Sequence, residues 1–269
     1  MRQQSSLARL LASAALTAIL AAGLGGCQTT SDITGSLTPK SEASPDSDPR
    51  RAVEIYGERY RADPKNADAA LAYGQALRAT GQRSQAAAVL EQATISHPGD
   101  KALLAGYGRA LADNGNFQSA FDVLSRAHSP DNPDWRILSV QGTALDQLGR
   151  HDEARQYYAS ALKIVPDEPS VLSNLGLSYV LSKDLPKAEE VLRQAYASTR
   201  ADGRVRQNLG LVVGLQGRFA EAEQIVRADL PADEAAANVA YLKQMLNRKD
   251  DSRKGAASRM PVASLNRPE

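Results

Sequence analysis

The sequence predicts an all-α solenoid of stacked helix pairs, and three observations carry that prediction. Glycine falls at 74, 108, 142, 176 and 210, each 34 residues after the last, and alanine falls at 52, 86, 120, 154, 188 and 222 on the same spacing. With 19 glycines in 269 residues, five specified positions would all be glycine by chance about two times in a million, so the period belongs to the fold. Turn signals punctuate the same units: Gly81, Gly115, Gly149 and Gly217 in mid-unit, and Pro64, Pro98 and Pro166 at unit ends, with Pro133 one residue late. Finally, alanine is abundant and no strand pattern recurs, which favours closely packed helices.

The first element is an address. Arg2 and Arg9 flank the start of an apolar run from Leu10 to Ala22, broken only by Ser13 and Thr17. At about 13 residues the run is short of the roughly 20 that cross a bilayer, so residues 1–26 read as a secretory signal peptide, the alternative being an uncleaved anchor helix. The run ends in Leu24-Gly25-Gly26-Cys27, which resembles the bacterial lipobox. That resemblance implies cleavage before Cys27 and acylation of its sulfur and new amino group, giving a firm membrane anchor. Gln28 stands where an Asp would signal inner-membrane retention, so the expected location is the periplasmic face of the outer membrane. Residues 27–48 are rich in Ser, Thr, Pro and Asp without apolar periodicity and read as a flexible tether, about 25 Å in mean reach.

A half-unit follows at 49–66, keeping Ala52, Tyr56 and Pro64 but with Arg59 where alanine recurs, as befits a terminal helix with one wet side. Five units follow at 67–100, 101–134, 135–168, 169–202 and 203–232. In the first, Tyr73-Gly74, Leu77, Gly81, Ala86, Leu90, Ala93 and Pro98 resemble the tetratricopeptide repeat, a helix-turn-helix of 34 residues. The resemblance implies a right-handed superhelix of antiparallel helix pairs, each burying its apolar face against its neighbours. The fourth unit departs from the pattern, with Lys183 at the turn glycine, Arg200 at the proline and Pro186 near the start of its second helix, so its turn is expected to differ. The large aromatic position of the repeat is filled by Ala70, Leu104, Leu138, Leu172 or Arg206, while Trp135 opens the third unit, where packing between units is its expected use. In the fifth unit Asp229 replaces alanine and Pro231 cuts the helix. A terminal helix at 233–246 is expected to cover the open end, and residues 247–269 read as a disordered tail.

Composition narrows the function. Lys plus Arg total 32 against 31 acids, for a net charge of +1, so there is no basic excess for nucleic acid. One cysteine excludes an internal disulfide or thiolate metal cluster. His97, His128 and His151 fall near turns of different units, without zinc-ligand spacing, and neither a phosphate loop nor a G-x-S-x-G elbow is present. Asp113, Asp146, Asp152 and Glu153 read as capping or solvated residues at helix ends. No enzyme, metal, cofactor or small-molecule substrate is expected.

The expectation is protein binding by the inner face of the first helices. That face gives Asp68, Leu71, Gln75 and Arg78, then Ala105, Arg109 and Asp113, then Arg136, Ser139, Thr143 and Asp146, a mixed and mostly small set. The last two units are more apolar, and from them Asn174, Leu177, Val180, Leu181, Gln207, Asn208, Leu211 and Leu215 are the candidate partner-binding residues. Asn174 and Asn208 share a repeat position and suit a partner's backbone, and the leucines an apolar face, unless those leucines pack against the terminal helix. The Lys, Asn and Arg set with which some repeats of this kind clamp a C-terminal carboxylate is not reproduced, since Leu71, Gln75, Gly106, Arg136 and Val140 stand there. The ending from Gln207 to Leu246, with the lipobox and about five repeats, is similar to the TadD family of tight-adherence (Flp) pilus assembly lipoproteins. The resemblance implies an outer-membrane lipoprotein that helps the pilus secretin assemble or reach its membrane. A general periplasmic scaffold and a docking regulator of a cell-wall enzyme are the alternatives.

Overall fold

Asp48 starts the first helix: its carboxylate accepts the Arg50 N–H at 2.9 Å, and Pro49 sits in the first turn, where its missing N–H costs nothing. The structure, a computed structural model, describes residues 48–257, with side chains through Arg248. The signal peptide 1–26, Cys27 with the tether up to residue 47, and residues 258–269 lie outside the described residues.

The described residues form twelve helices: α1 (Pro49–Ala62), α2 (Ala67–Ala79), α3 (Arg83–Ser96), α4 (Lys101–Asp113), α5 (Phe117–Ala127), α6 (Trp135–Gln147), α7 (His151–Ile164), α8 (Pro169–Leu181), α9 (Leu185–Tyr196), α10 (Gly203–Leu215), α11 (Phe219–Val226) and α12 (Ala232–Ala257). Side chains set the starts of the first helices. Asn66 caps Ala69 N–H at 2.9 Å, Asp100 caps Ala102 and Leu103 at 2.9 and 3.0 Å, Asp134 caps Arg136 at 2.7 Å, and Asp202 caps Val205 at 3.1 Å. Each such cap is worth about 1 kcal/mol. Glu168 occupies the equivalent place before α8 and makes no cap, and there Pro169 opens the helix instead.

The turn inside each pair is closed by one conformation. Gly81, Gly115, Gly149 and Gly217 have φ between +75° and +84°, and Lys183 adopts the same left-handed backbone at +64°. The residue after each returns its N–H to a carbonyl five residues earlier, Gln82 to Leu77 at 2.9 Å and Asp184 to Tyr179 at 2.9 Å. The fourth turn therefore keeps the geometry of the others, against the expectation from Lys183: the hydrogen bond holds the backbone and the lysine bears the strain.

The 34-residue glycines have a packing cause. A Cβ on Gly74 would stand 2.5 Å from Leu90, on Gly108 2.5 Å from Leu124, on Gly142 2.6 Å from Tyr158, on Gly176 2.6 Å from Leu192 and on Gly210 2.6 Å from Val226. Each large side chain of a second helix thus seats on bare backbone of its first helix. Ala86, Ala120, Ala154 and Ala188 are fully buried beside these contacts. Consecutive helices pack along the chain; in addition the backbones of α2 and α4, α4 and α6, α6 and α8, and α8 and α10 approach closely, whereas those of successive second helices stay farther apart and meet through side chains such as Phe121 with Tyr157 and Arg193 with Glu221. The stack therefore curves with its first helices on the inside.

The final helix packs on α10 and α11. Ala235 is fully buried, Val239 packs against the core of the last units, and Leu242 lies where a Cβ on Gly214 would meet it at 2.6 Å. The helix runs past Leu246 to Ala257, which corrects the sequence expectation that helical order ends there and a disordered tail begins at Asn247. Asn247–Ala257 lacks apolar periodicity but carries no proline and one glycine, so nothing local stops the turn-to-turn hydrogen bonding.

Candidate functional site

The inner face of the N-terminal half holds a cleft of about 520 Å³, lined by Leu71 and Gln75 of α2, Lys101, Ala105 and Arg109 of α4, and Asp134, Trp135 and Arg136 where α6 begins. Three cations meet one carboxylate here, and that carboxylate is committed to capping α6. Arg78, one turn below Gln75, is neutralised by Asp113 at 2.6 Å. The Arg136 guanidinium lies 4.4 Å over the Trp135 ring. Arg109 is half-buried and hydrogen-bonds to no described residue. Burial pulls its pKa down; Asp134 opposes that shift, and Arg78 and Arg136 add to it. At the back of the cleft His128 Nε2 meets Gln141 Oε1 at 3.1 Å, Gln141 Nε2 donates to Ser125 Oγ at 3.0 Å, and His128 Nδ1 is buried without a partner.

The third unit carries a buried polar knot. Asp146 accepts from Tyr158 OH at 2.9 Å, Ser178 Oγ at 2.8 Å and His151 Nδ1 at 2.8 Å, linking α6, α7 and α8. Asp146 is 6% exposed, Tyr158 1% and Ser178 0%, so the sequence reading of Asp146 as a solvated or inner-face residue is corrected. Burial and the neighbouring carboxylate push the Tyr158 phenol well above the ordinary tyrosine range. Ser139 and Ser173 are also buried, and neither offers an open surface.

In the C-terminal half the two asparagines are not free donors. Asn174 Nδ2 donates to Ser139 Oγ at 3.1 Å and Asn208 Nδ2 to Ser173 Oγ at 2.8 Å, so the same contact repeats between successive first helices. This corrects their reading as open carboxamides, because one N–H of each stitches the stack. Val180 packs against the core formed by Leu192, Leu209 and Val212, and Leu177, Leu181, Leu211 and Leu215 are half-buried. Gln207 is exposed. Cys27 lies outside the described residues.

Sequence-family models for the tetratricopeptide repeat match residues 46–110 and 136–201. Those two segments are tetratricopeptide repeats, and the described residues fold as a tetratricopeptide-repeat solenoid. Solved structures show the same fold. PilW, described as a widely conserved type IV pilus biogenesis factor, is 19% identical with a TM-score of 0.63, over 72% of this chain and 91% of PilW. A thermophilic repeat protein of Thermus thermophilus, TTC0263, is 22% identical with a TM-score of 0.59, over 66% of this chain and all of that one. The Cut9 and Hcn1 assembly of the APC/C is 18% identical with a TM-score of 0.58, over 74% of this chain and 41% of that one. No curated protein matches the chain.

Tetratricopeptide-repeat proteins are in general non-catalytic scaffolds for protein partners. Among the described residues no three His, Cys, Asp or Glu gather as metal ligands, and no helix is long and apolar enough to cross a membrane. His97 ties successive units through Lys65 O at 2.7 Å, and His151 belongs to the Asp146 knot. The cleft of the N-terminal half is the feature that the sequence reading passed over. Its signal was present as Arg109 and Arg136 on inner positions beside Trp135, but apolar side chains and paired amides point to the C-terminal half instead, and the loop that brings Asn132 and Pro133 to the rim follows no repeat rule.

Proposed function

We propose that this tetratricopeptide-repeat chain is an outer-membrane lipoprotein, anchored through Cys27, that assists assembly or localisation of the secretin of a tight-adherence (Flp) pilus system. One observation carries the reading: a lipobox-like Leu24-Gly25-Gly26-Cys27 and a tether precede a repeat stack whose inner face holds an open, charged cleft. The similarity of the ending from Gln207 to Leu246 to the TadD family supports the pilus assignment. That PilW, a pilus biogenesis factor, has the same fold is consistent with it and adds fold evidence only.

The mechanism has two physical parts. Acyl chains on Cys27 fix the chain at the membrane surface, and the tether lets the stack search a volume set by its length. A stack whose units are locked by glycine contacts and the Asn–Ser ladder presents a preformed groove, so little ordering cost is met when a partner segment docks. The test compares the secretin in cells with the wild-type chain, a deletion and Cys27→Ser. The expected result is loss of secretin multimers in the deletion and mislocalised secretin with Cys27→Ser. Unchanged secretin in both rejects the pilus role and leaves a general periplasmic scaffold.

A further inference from the structure

The cleft of the N-terminal half says what kind of segment it takes. Lys101 and Arg109 lie on one helix eight residues apart, about 12 Å along the α4 axis. Two side chains four residues apart on an extended strand point the same way and stand about 13 Å apart. Ala105 lies between the cations on α4, and Leu71 and Trp135 line the same cleft. Lys101 is exposed and Arg109 half-buried, and neither forms an ion pair among the described residues, Asp134 acting on Arg109 only at longer range, while Arg78 nearby is already paired.

We propose that this cleft binds an extended acidic segment of a protein partner, Lys101 and Arg109 each taking a carboxylate from side chains four residues apart and Trp135 with Leu71 taking the apolar residue between them. The occupant is an internal segment: two side-chain carboxylates spaced to match the two α4 positions suffice, and no free chain terminus is called for. A guanidinium already partly desolvated gives up less water when its partner arrives, and a bidentate Arg–carboxylate pair fixes the register. This inference rests on the reading of the inner face as a protein-binding groove and is independent of which membrane machine supplies the partner.

The test uses the full-length chain and a fluorescent, C-terminally amidated peptide of pattern Asp-Ser-Leu-Ser-Glu. Its comparators are the Asn/Gln version and a version whose only carboxylate is a free C-terminus. The acidic peptide is expected to bind at least tenfold tighter than either comparator, with affinity falling as salt rises. Arg109→Gln removes that preference. Lys101→Gln, at an exposed position where folding is not at stake, reduces it at least threefold. Equal binding of the acidic and amide peptides overturns the charge assignment while leaving the groove reading standing. No binding of either by a folded chain overturns both. Tighter binding of the free C-terminus, or equal competition by a peptide copying residues 28–48 of this chain, gives the cleft a different occupant and overturns the proposal.

Discussion

Asp146 shows how one residue alters the logic of a repeat. In neighbouring units the side chain seated on the conserved glycine is leucine, Leu124 on Gly108 and Leu192 on Gly176; in the third it is Tyr158 on Gly142, and its hydroxyl needs a partner in a place where water is absent. Asp146 supplies it and collects Ser178 and His151 as well, so three of the carboxylate's roughly four lone-pair sites are used and the knot ties three helices. Deleting the carboxylate strands the buried Ser178 hydroxyl and leaves the Tyr158 hydroxyl only its long contact to Thr143 at 3.4 Å. Asp146→Ala is therefore expected to lower unfolding stability by about 3 kcal/mol in urea titration, and Tyr158→Phe by about 1 kcal/mol. A loss below about 1 kcal/mol for Asp146→Ala would mean the knot carries no net stability. The network was illegible from the sequence, because Asp146 occupies a last-turn position where capping and solvation are ordinary, and its burial depends on Ser178, 32 residues away.

At the scale of the element, turn chemistry decided more than residue type. Lys183 keeps a left-handed backbone at φ +64° because the Asp184 N–H bond to Tyr179 O and the packing of α8 on α9 dictate it. A side chain there costs about 1–2 kcal/mol, part of which glycine returns as extra freedom in the unfolded chain. Lys183→Gly is thus expected to raise stability by roughly 0.5–1 kcal/mol with no change in helix content, read by melting in far-UV circular dichroism. A destabilised variant would mean that the Lys183 side chain contributes more than its backbone costs. The helices themselves were legible: the five glycines and the alanine ladder mark where backbones meet, and each acquired a named contact, Gly74 with Leu90 through Gly210 with Val226. The caps at 66, 100, 134 and 202 were legible too, since Asn or Asp recurs there, yet the sequence reading did not use them. What stayed hidden was the length of α12, which depends on the absence of a breaker rather than on any positive signal.

Across the whole molecule, stability is a sum of units and the contacts between them, so a charged junction between units is the place where solution conditions act. Glu189 of α9 is such a junction: it receives Arg218 at 2.6 Å and Gln216 at 2.8 Å from the last unit, and Arg193 at 2.7 Å from its own helix, while Glu221 pairs with Arg193 at 2.5 Å. These bonds, Arg218 first, hold the Glu189 carboxyl down to about 2 from its ordinary 4.5, with burial opposing. A depressed carboxyl pKa contributes stability that is complete above the unfolded value and is lost as protons bind the folded form. The contribution is therefore intact at neutral pH and fades between pH 4.5 and about 2. Glu189→Gln removes the charge at every pH, so the melting-temperature gap between wild type and variant should be widest at neutral pH and close across that acid window. A gap that stays constant down to pH 2 would show that the glutamate acts through packing or neutral hydrogen bonds. Because Glu189 joins the fourth unit to the fifth, amide exchange in the variant should quicken first in α10–α12 and leave α2–α5 unchanged, as a chain of nearest-neighbour couplings requires.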